Sequence, residues 1–324
     1  MERKYAAFFG GITFIFMIIG SSNAAGKEYP TRPVHLINPG APGGAFDISA
    51  RPIGEMFSES LGQPLVIESK PGGADLVAGN IVATAKPDGY TIGIFPIPPA
   101  IPEVYKYFLD SPYSSSDLKP ICKLGNFVGV LVAKSDSPWN SINELVEDMR
   151  KNPGMKFGAV SQRSSPNLLM LKVAKKEKVS YVVVPHSNER EVLLNVLGGH
   201  IPIALVSISL VTGHLQSGSL KALAVYSEKR SELLPEVATF TELGYSPGHY
   251  AWFGLFGPKD TPDPIIQKIS EVAKTASQTP SYLQKIRNIG FQVAFEGPDQ
   301  FRETVSHSKA DIGKALEEMG FVKK

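Results

Sequence analysis

The sequence predicts an α/β protein of two domains with mostly parallel sheets. Short, apolar, β-branched segments alternate with helical patterns along the chain, which implies βαβ units. The 324 residues leave roughly 300 after a leader, enough for two domains of about 150 each. Each half also carries a strand–turn–helix opening, the arrangement that puts a ligand crevice beyond the carboxyl ends of parallel strands.

The elements follow in order. Glu2-Arg3-Lys4 is a short charged start, Ala6 to Ile19 is apolar apart from Thr13, and Ser21 to Ala25 are small. This pattern reads as an export signal over residues 1–25, cleaved near Ala24 or Ala25. The apolar run is too short to span a bilayer comfortably, and no Cys stands at the cleavage point to take a lipid. An uncleaved N-terminal anchor is the alternative.

His35-Leu36-Ile37-Asn38 is an apolar strand leading into Pro39-Gly40-Ala41-Pro42-Gly43-Gly44, after which Ala45 to Arg51 opens a helix. Gly43 and Gly44 are expected to allow positive φ and to leave the amides uncovered. A helix N-terminus carries unpaired N–H donors and partial positive charge, so this turn suits a carboxylate. No Lys-Ser/Thr follows the glycines and the spacing is not G-x-G-x-x-G, which excludes a Walker loop and a dinucleotide fingerprint. A plain tight turn is the alternative.

Strands are expected at 34–38, 65–68, 91–95, 128–133, 156–160, 181–184, 201–206, 222–226, 252–256 and 291–295. Ser141-Ile142-Asn143-Glu144 is a capping box opening a helix that stops before Asn152-Pro153-Gly154. Asp263-Pro264 is expected to cap a helix whose Ile265, Ile266, Ile269, Val272, Ala273 and Ala276 share one face. A final helix carries Phe301, Val305, Ile312, Leu316 and Met319. These stripes are core packing. In the second half, strand 156–160 leads into Ser161-Gln162-Arg163-Ser164-Ser165-Pro166-Asn167, with a helix starting near Leu168.

The formal net charge is +2, and the leader's Glu2, Arg3 and Lys4 account for one of those positive charges. Near neutrality argues against nucleic acid and against long-range attraction of anions. The single cysteine, Cys122, excludes an intrachain disulfide and is expected to be a small buried apolar residue. No Cys/His cluster has metal-ligand spacing, so neither metal nor cofactor is expected.

Several motifs together resemble one family. Tyr29-Pro30-Thr31-Arg32-Pro33, the 39–51 turn, Leu61-Gly62-Gln63-Pro64, Lys70-Pro71-Gly72-Gly73 and Pro87-Asp88-Gly89-Tyr90-Thr91 come in order. Leu197-Gly198-Gly199-His200, Gly218 to Val225, Leu234-Pro235-Glu236-Val237, Glu242-Leu243-Gly244 and Trp252 to Pro258 continue it. The chain is similar to Bug-type solute-binding proteins, the extracytoplasmic receptors of tripartite tricarboxylate transporters. The resemblance implies a type II-like periplasmic binding-protein fold (a Venus flytrap) with two hinge-crossing strands. Domain one would be 26–126 plus 252–324, and domain two 127–251. It further implies a periplasmic, non-enzymatic receptor, expected to be monomeric, that takes a small carboxylate and hands it to large and small membrane transporter subunits.

By the same resemblance the 39–47 turn, with Ala41, Gly43 and Gly44, supplies backbone donors, and the 161–165 turn closes from the opposite side. The chain departs from the family where ligands sit. Ser161 and Arg163 stand in place of glycines, His186 in place of a Tyr, and Val206-Ser207 where an acidic residue is frequent. The second glycine cluster is reduced to Gly72-Gly73-Ala74-Asp75, and Phe95-Pro96-Ile97-Pro98 is apolar and stiff. These changes leave the fold expectation intact and the ligand class open.

Each candidate has a role and a duller alternative. Asp47 would order the first turn and pair with Arg51 at i, i+4. Arg163 would grip a carboxylate through its guanidinium fork, or be a solvated loop residue. His186 would donate to an anion or stand as a hydrogen-bonded wall residue. Ser164, Ser165 and Ser207 are hydroxyl partners or local caps. Phe95, Pro96, Ile97 and Pro98 would form an apolar wall. Two other functions remain in view, a receptor that signals to a sensor kinase and an exported Ser/His/Asp hydrolase. The hydrolase has no G-x-S-x-G elbow and no motif tying any histidine to a nucleophile.

Overall fold

The computed structural model describes residues 29–105, 110–160, 162, 164–318 and 320. The expected leader, Ser161, Arg163 and Met319 lie outside the described residues.

The chain begins with β1 (Val34–Asn38), α1 (Ala45–Leu61), β2 (Leu65–Ser69), α2 (Leu76–Ala83), β3 (Thr91–Pro96) and the single turn α3 (Ile97–Ala100). Strand β4 (Leu118–Phe127) then leads directly into β5 (Gly129–Lys134) of a second sheet. That sheet is completed through α4 (Ile142–Lys151), β6 (Met155–Ala159), α5 (Ser165–Glu177), β7 (Tyr181–Pro185), α6 (Glu189–Leu197), β8 (Ile203–Ser207), α7 (Ile208–Gln216) and β9 (Leu220–Tyr226). The chain returns to the first sheet with β10 (Trp252–Pro258), α8 (Asp263–Ser277), α9 (Pro280–Asn288), β11 (Phe291–Glu296) and α10 (Pro298–Glu318).

The first sheet has the order β11-β4-β10-β3-β1-β2 and the second β7-β6-β8-β5-β9. Four of the nine strand pairings are parallel and five antiparallel, so the sheets are mixed rather than mostly parallel. The reason lies in the crossings. Strand β4 leaves the first lobe and β10 re-enters it, so the two run in opposite directions side by side; β5 and β9 do the same in the second lobe. The first crossing is close to one continuous strand broken at Val128. The second runs through residues 227–251 and is tied to the first by Phe127 N–H donating to the Ala251 carbonyl at 2.7 Å.

Helices cover both faces of each sheet. On the first, α1 and α8 bury Ile53, Phe57, Ile266 and Ile269 on one side, while α10 buries Phe301, Ile312 and Leu316 on the other. On the second, Leu145 of α4 and Val173 of α5 face one core and Val192 of α6 and Val211 of α7 the other. Cys122 is fully buried, as expected of a small apolar residue.

Strand β4 is absent from the expected set. Lys119, Pro120, Lys123, Gly125 and Asn126 break its apolar pattern, yet Lys123 and Asn126 are each 2% exposed. The Lys123 ammonium is accommodated by Glu296 at 2.7 Å and Glu228 at 3.5 Å, and Asn126 donates to Glu228 at 2.7 Å. Two helix starts also differ in detail. Ser141 caps α4 by accepting Glu144 N–H at 3.2 Å, but the Glu144 carboxylate reaches back to Asn140 N–H, one residue outside the box. Asp263 is the first residue of α8 rather than its cap, and its carboxylate pairs with Lys119 at 2.7 Å.

Candidate functional site

A cavity of about 530 Å³ lies between the lobes. The first lobe contributes Phe46 and Asp75, which come after the carboxyl ends of β1 and β2, and Pro96, the last residue of β3. The second contributes Val160, Ser164, Ser187, Glu189 and Val206 around the ends of β6, β7 and β8. Side-by-side strands with their loops on one edge produce this crevice, and here two such edges face each other. A volume of this size suits a small molecule.

Its walls are strongly aromatic. Phe46, Phe127 and Phe291 form a connected set, with Phe291 centred 6.1 Å from each of the other two rings. Trp252 lines the cavity as well, its indole N–H held by Ser308 Oγ at 2.8 Å. The apolar wall therefore differs from the expected one. Phe95 is fully buried against Phe256 and Ile97 is 6% exposed in the same core, because this sheet is covered on both faces. Of that stiff run, Pro96 lines the cavity.

The β1–α1 turn is built differently from the expectation in one respect. Gly43 has φ +77°, which favours glycine, whereas Gly44 is extended at φ −74° and ψ 173°. The two glycine amides are also engaged inside the turn. Gly43 N–H donates to Asp47 Oδ2 at 2.9 Å and Gly44 N–H to the Ala41 carbonyl at 3.0 Å. Asp47, 3% exposed, also holds Arg51 at 2.7 Å, so it orders the turn as its spacing suggested. The donors this turn can offer a ligand are the first amides of α1 itself, which helix geometry leaves without partners. Phe46 is its residue in the cavity wall.

On the facing side, Ser164 is the N-cap of α5, accepting Asn167 N–H at 3.4 Å, and both Ser164 and Ser165 line the cavity. The helix starts at Ser165, three residues ahead of the expected position. His186 is turned to the Val184 carbonyl at 2.9 Å, and the cavity is lined instead by its successors Ser187, Asn188 and Glu189. Ser207 is 6% exposed, with its hydroxyl 3.0 Å from Ser209 Oγ, and a Cβ on Gly290 would strike it at 2.1 Å. It packs between the lobes rather than on the cavity wall.

Two charged side chains in the cavity were not singled out by role in the sequence reading. Burial pushes the Glu189 carboxyl up to about 7, against the opposing pull of Ser207 N–H, which it accepts at 3.3 Å. Burial likewise raises Asp75, a non-glycine residue at φ +71°. The departure of 72–75 from a glycine cluster was the available signal for Asp75; Glu189 sits at the N-terminus of an ordinary helix and gave none.

Beside the cavity, Ser165 Oγ lies 3.1 Å from His249 Nε2, and His249 Nδ1 lies 2.6 Å from Asp311 Oδ2. No sequence motif joins these three residues; the fold does. Asp311 also takes Lys172 at 2.7 Å, so its charge is shared between two partners in different elements. Among the described residues, no group of His, Cys, Asp and Glu could hold a metal ion, and no helix is long and apolar enough to cross a membrane.

Residues 49–321 match the model of the tripartite tricarboxylate transporter family receptor, TctC. The chain belongs to that family. Its receptors are periplasmic solute-binding proteins rather than enzymes. A UPF0065 protein of Bordetella pertussis is 30% identical over 288 residues, covering 87% of each chain. The crystal structure of a TctC solute-binding protein from Polaromonas superposes with a TM-score of 0.80 at 24% identity, covering 90% of this chain and 99% of that one. An R. palustris structure with adipate superposes at 0.73 and 24% identity, covering 91% and 99%. These likenesses show the two-domain periplasmic binding-protein fold.

Proposed function

We propose that this family member is a periplasmic receptor, exported by its 1–25 leader, that encloses a small organic carboxylate between lobes 26–126 plus 252–324 and 127–251. It then delivers the solute to a tripartite tricarboxylate-type membrane transporter. The observation that carries the reading is the cavity lined from both lobes at the carboxyl ends of their strands. The R. palustris relative with adipate supports a carboxylate, and so do the helix N-termini at Ala45 and Ser165.

Magnitudes favour closure over a single anchoring turn. Micromolar capture needs about 8 kcal/mol. A helix terminus supplies about 0.3–1 kcal/mol when exposed and up to about 2 when partly buried. Both lobes and the aromatic wall must therefore act together.

The test is thermal stabilisation of the leaderless protein by a panel of organic acids, compared with Val160→Trp. Val160 is 40% exposed and lines the cavity, so a tryptophan there fills it without disturbing the core. The variant is expected to melt like the parent and to lose the ligand response. An unchanged response would move the binding site elsewhere.

The Ser165–His249–Asp311 chain of contacts gives a hydrolase a specific observation in its favour. The sharing of Asp311 with Lys172 favours a structural tie instead. Turnover of an activated ester, lost in Ser165→Ala, would establish the hydrolase.

A further inference from the structure

We propose that the protein has a second site, beside the hinge and apart from the solute cavity, that takes an organic cation bearing N–H donors, an ammonium or a guanidinium. The inference goes beyond the receptor reading and does not depend on it. A pocket of about 380 Å³ opens between β4, the second crossing and α10. Trp252 lines this pocket and the solute cavity alike, and their other lining residues differ.

Three carboxylates line the pocket, Glu228, Glu296 and Glu303, against the single ammonium of Lys123. The geometry brings two of the acids together, because Lys123 Nζ lies 2.7 Å from Glu296 Oε1 and 3.5 Å from Glu228 Oε1. One buried cation thus serves two acids and leaves the pair with a surplus negative charge. Glu296 Oε2 accepts Thr304 Oγ1 at 2.6 Å, whereas Glu228 Oε2 has no partner among the described residues and its side chain is 45% exposed. Glu303 is exposed and adds a further negative charge. The ring nitrogens of His249 are held by Asp311 and Ser165, and His307 Nε2 lies 3.0 Å from the Gly248 carbonyl, so no imidazole Nε2 is left to serve these acids.

A second observation is independent of charge. Asn126 lines the pocket and is 2% exposed, and its Nδ2 donates to Glu228 Oε1 at 2.7 Å. An ionised carboxylate accepts only, so this bond fixes which way the amide faces. It leaves Asn126 Oδ1 buried with no hydrogen-bond partner among the described residues, a costly state for an acceptor. Because Asn126 and Glu228 are bonded directly to each other, one cationic group placed beside that bond meets both. It brings an N–H to the amide oxygen and a positive charge to the carboxylate, while Tyr250 and Trp252 in the same wall offer rings that attract a cation. A metal ion is the wrong class, since among the described residues no group of His, Cys, Asp and Glu could hold one.

The experiment titrates the leaderless protein by calorimetry, at constant ionic strength, with butylguanidinium, butylammonium and tetramethylammonium. At least one of the first two is expected to saturate a single site, with tetramethylammonium, which has no N–H, at least about tenfold weaker. Glu228→Gln keeps an oxygen for Asn126 and should weaken binding at least about tenfold. Glu303→Gln, at an exposed position, should weaken it less. Val160→Trp, which fills the solute cavity, should bind the cation like the parent. A glycine-flanked arginine peptide distinguishes the sources: binding as tight as butylguanidinium assigns the cation to a partner's side chain, and no binding assigns it to a free small molecule. Absence of saturable binding, equal binding of tetramethylammonium, or undiminished binding to both acid variants overturns the inference and leaves the receptor standing. Loss of cation binding in Val160→Trp would place the cation in the solute cavity and overturn it as well.

Discussion

Lys172 on α5 and Asp311 on α10 meet at 2.7 Å, and this ion pair joins the helix that opens the second lobe's cavity wall to the last helix of the first lobe. Leu168, one turn earlier on α5, is buried in the first lobe's core with Ile312 and Leu316. Gly248 lies beneath the pair at φ +81°, where a Cβ would come within 2.1 Å of both Asp311 Oδ1 and Lys172 Nζ. The lobes are thus pinned to each other through α5.

Removing the pin should be costly. Asp311→Asn leaves Lys172 without a counter-charge, and the expected loss is about 3 kcal/mol in urea unfolding at neutral pH. Burial pushes the Asp311 carboxyl up, but hydrogen bonds from His249 and Lys172 outweigh it and hold the group below its ordinary 3.8. A depressed carboxyl stabilises the fold above its unfolded value and loses that contribution as pH falls through the folded one. The deficit of the variant should therefore shrink on acidification below about pH 4. An equal deficit at acid and neutral pH would assign the loss to packing.

Gly248→Ala tests the same pin from the backbone. The φ of +81° and the occupied space above the Cα both oppose a methyl group. The expected outcome is separation of Lys172 from Asp311 and a lower melting temperature, with no further loss in the double variant carrying Asp311→Asn. Additive losses would mean the two sites act apart.

Lys123 is the buried cation of the crossing strand, and its loss strands an acid. Lys123→Met leaves Glu296, with a side chain 13% exposed, with Thr304 Oγ1 at 2.6 Å as its remaining donor. A buried pair broken on one side costs about 3–5 kcal/mol. Adding Glu296→Gln should recover part of this; no recovery would show that the lysine's stem, rather than its charge, holds the strand.

Glu189 makes an opposite-signed contribution. Its folded value of about 7 lies above the ordinary 4.5, so the folded protein holds more protons across that interval and loses stability as pH rises through it. Apo Glu189→Gln should be more stable than the parent by about 1–3 kcal/mol near pH 8, at ~1.4 kcal/mol per pH unit, and equal near pH 4. Equal stability at both would mean the carboxylate is well solvated.

Gly44→Val probes the first turn. A Cβ at Gly44 would sit 3.0 Å from the Ala41 carbonyl oxygen, close enough to displace the turn and with it Phe46. The expected signature is a weakened ligand response by thermal shift with the apo fold retained. A full response would show that the cavity does not depend on this turn.

Local pattern determined much of this protein. The alternation of short apolar strands with striped helices gave the α/β class, and the family's ordered motifs gave two lobes with a hinge. The Asp47–Arg51 spacing gave the ordering of the first turn, since i, i+4 neighbours meet on any helix. What the tertiary structure decided depends on residues far apart in sequence. Strand β4 is a strand because Glu228 and Glu296 neutralise Lys123, and no local rule sees them. Phe95 went into the core and Phe291 into the cavity because sheet pairing, not composition, sets which face each one meets. Glu189 and Asp75 line one cavity only because the fold brings the two lobes together, and a linear sequence records no distances across it.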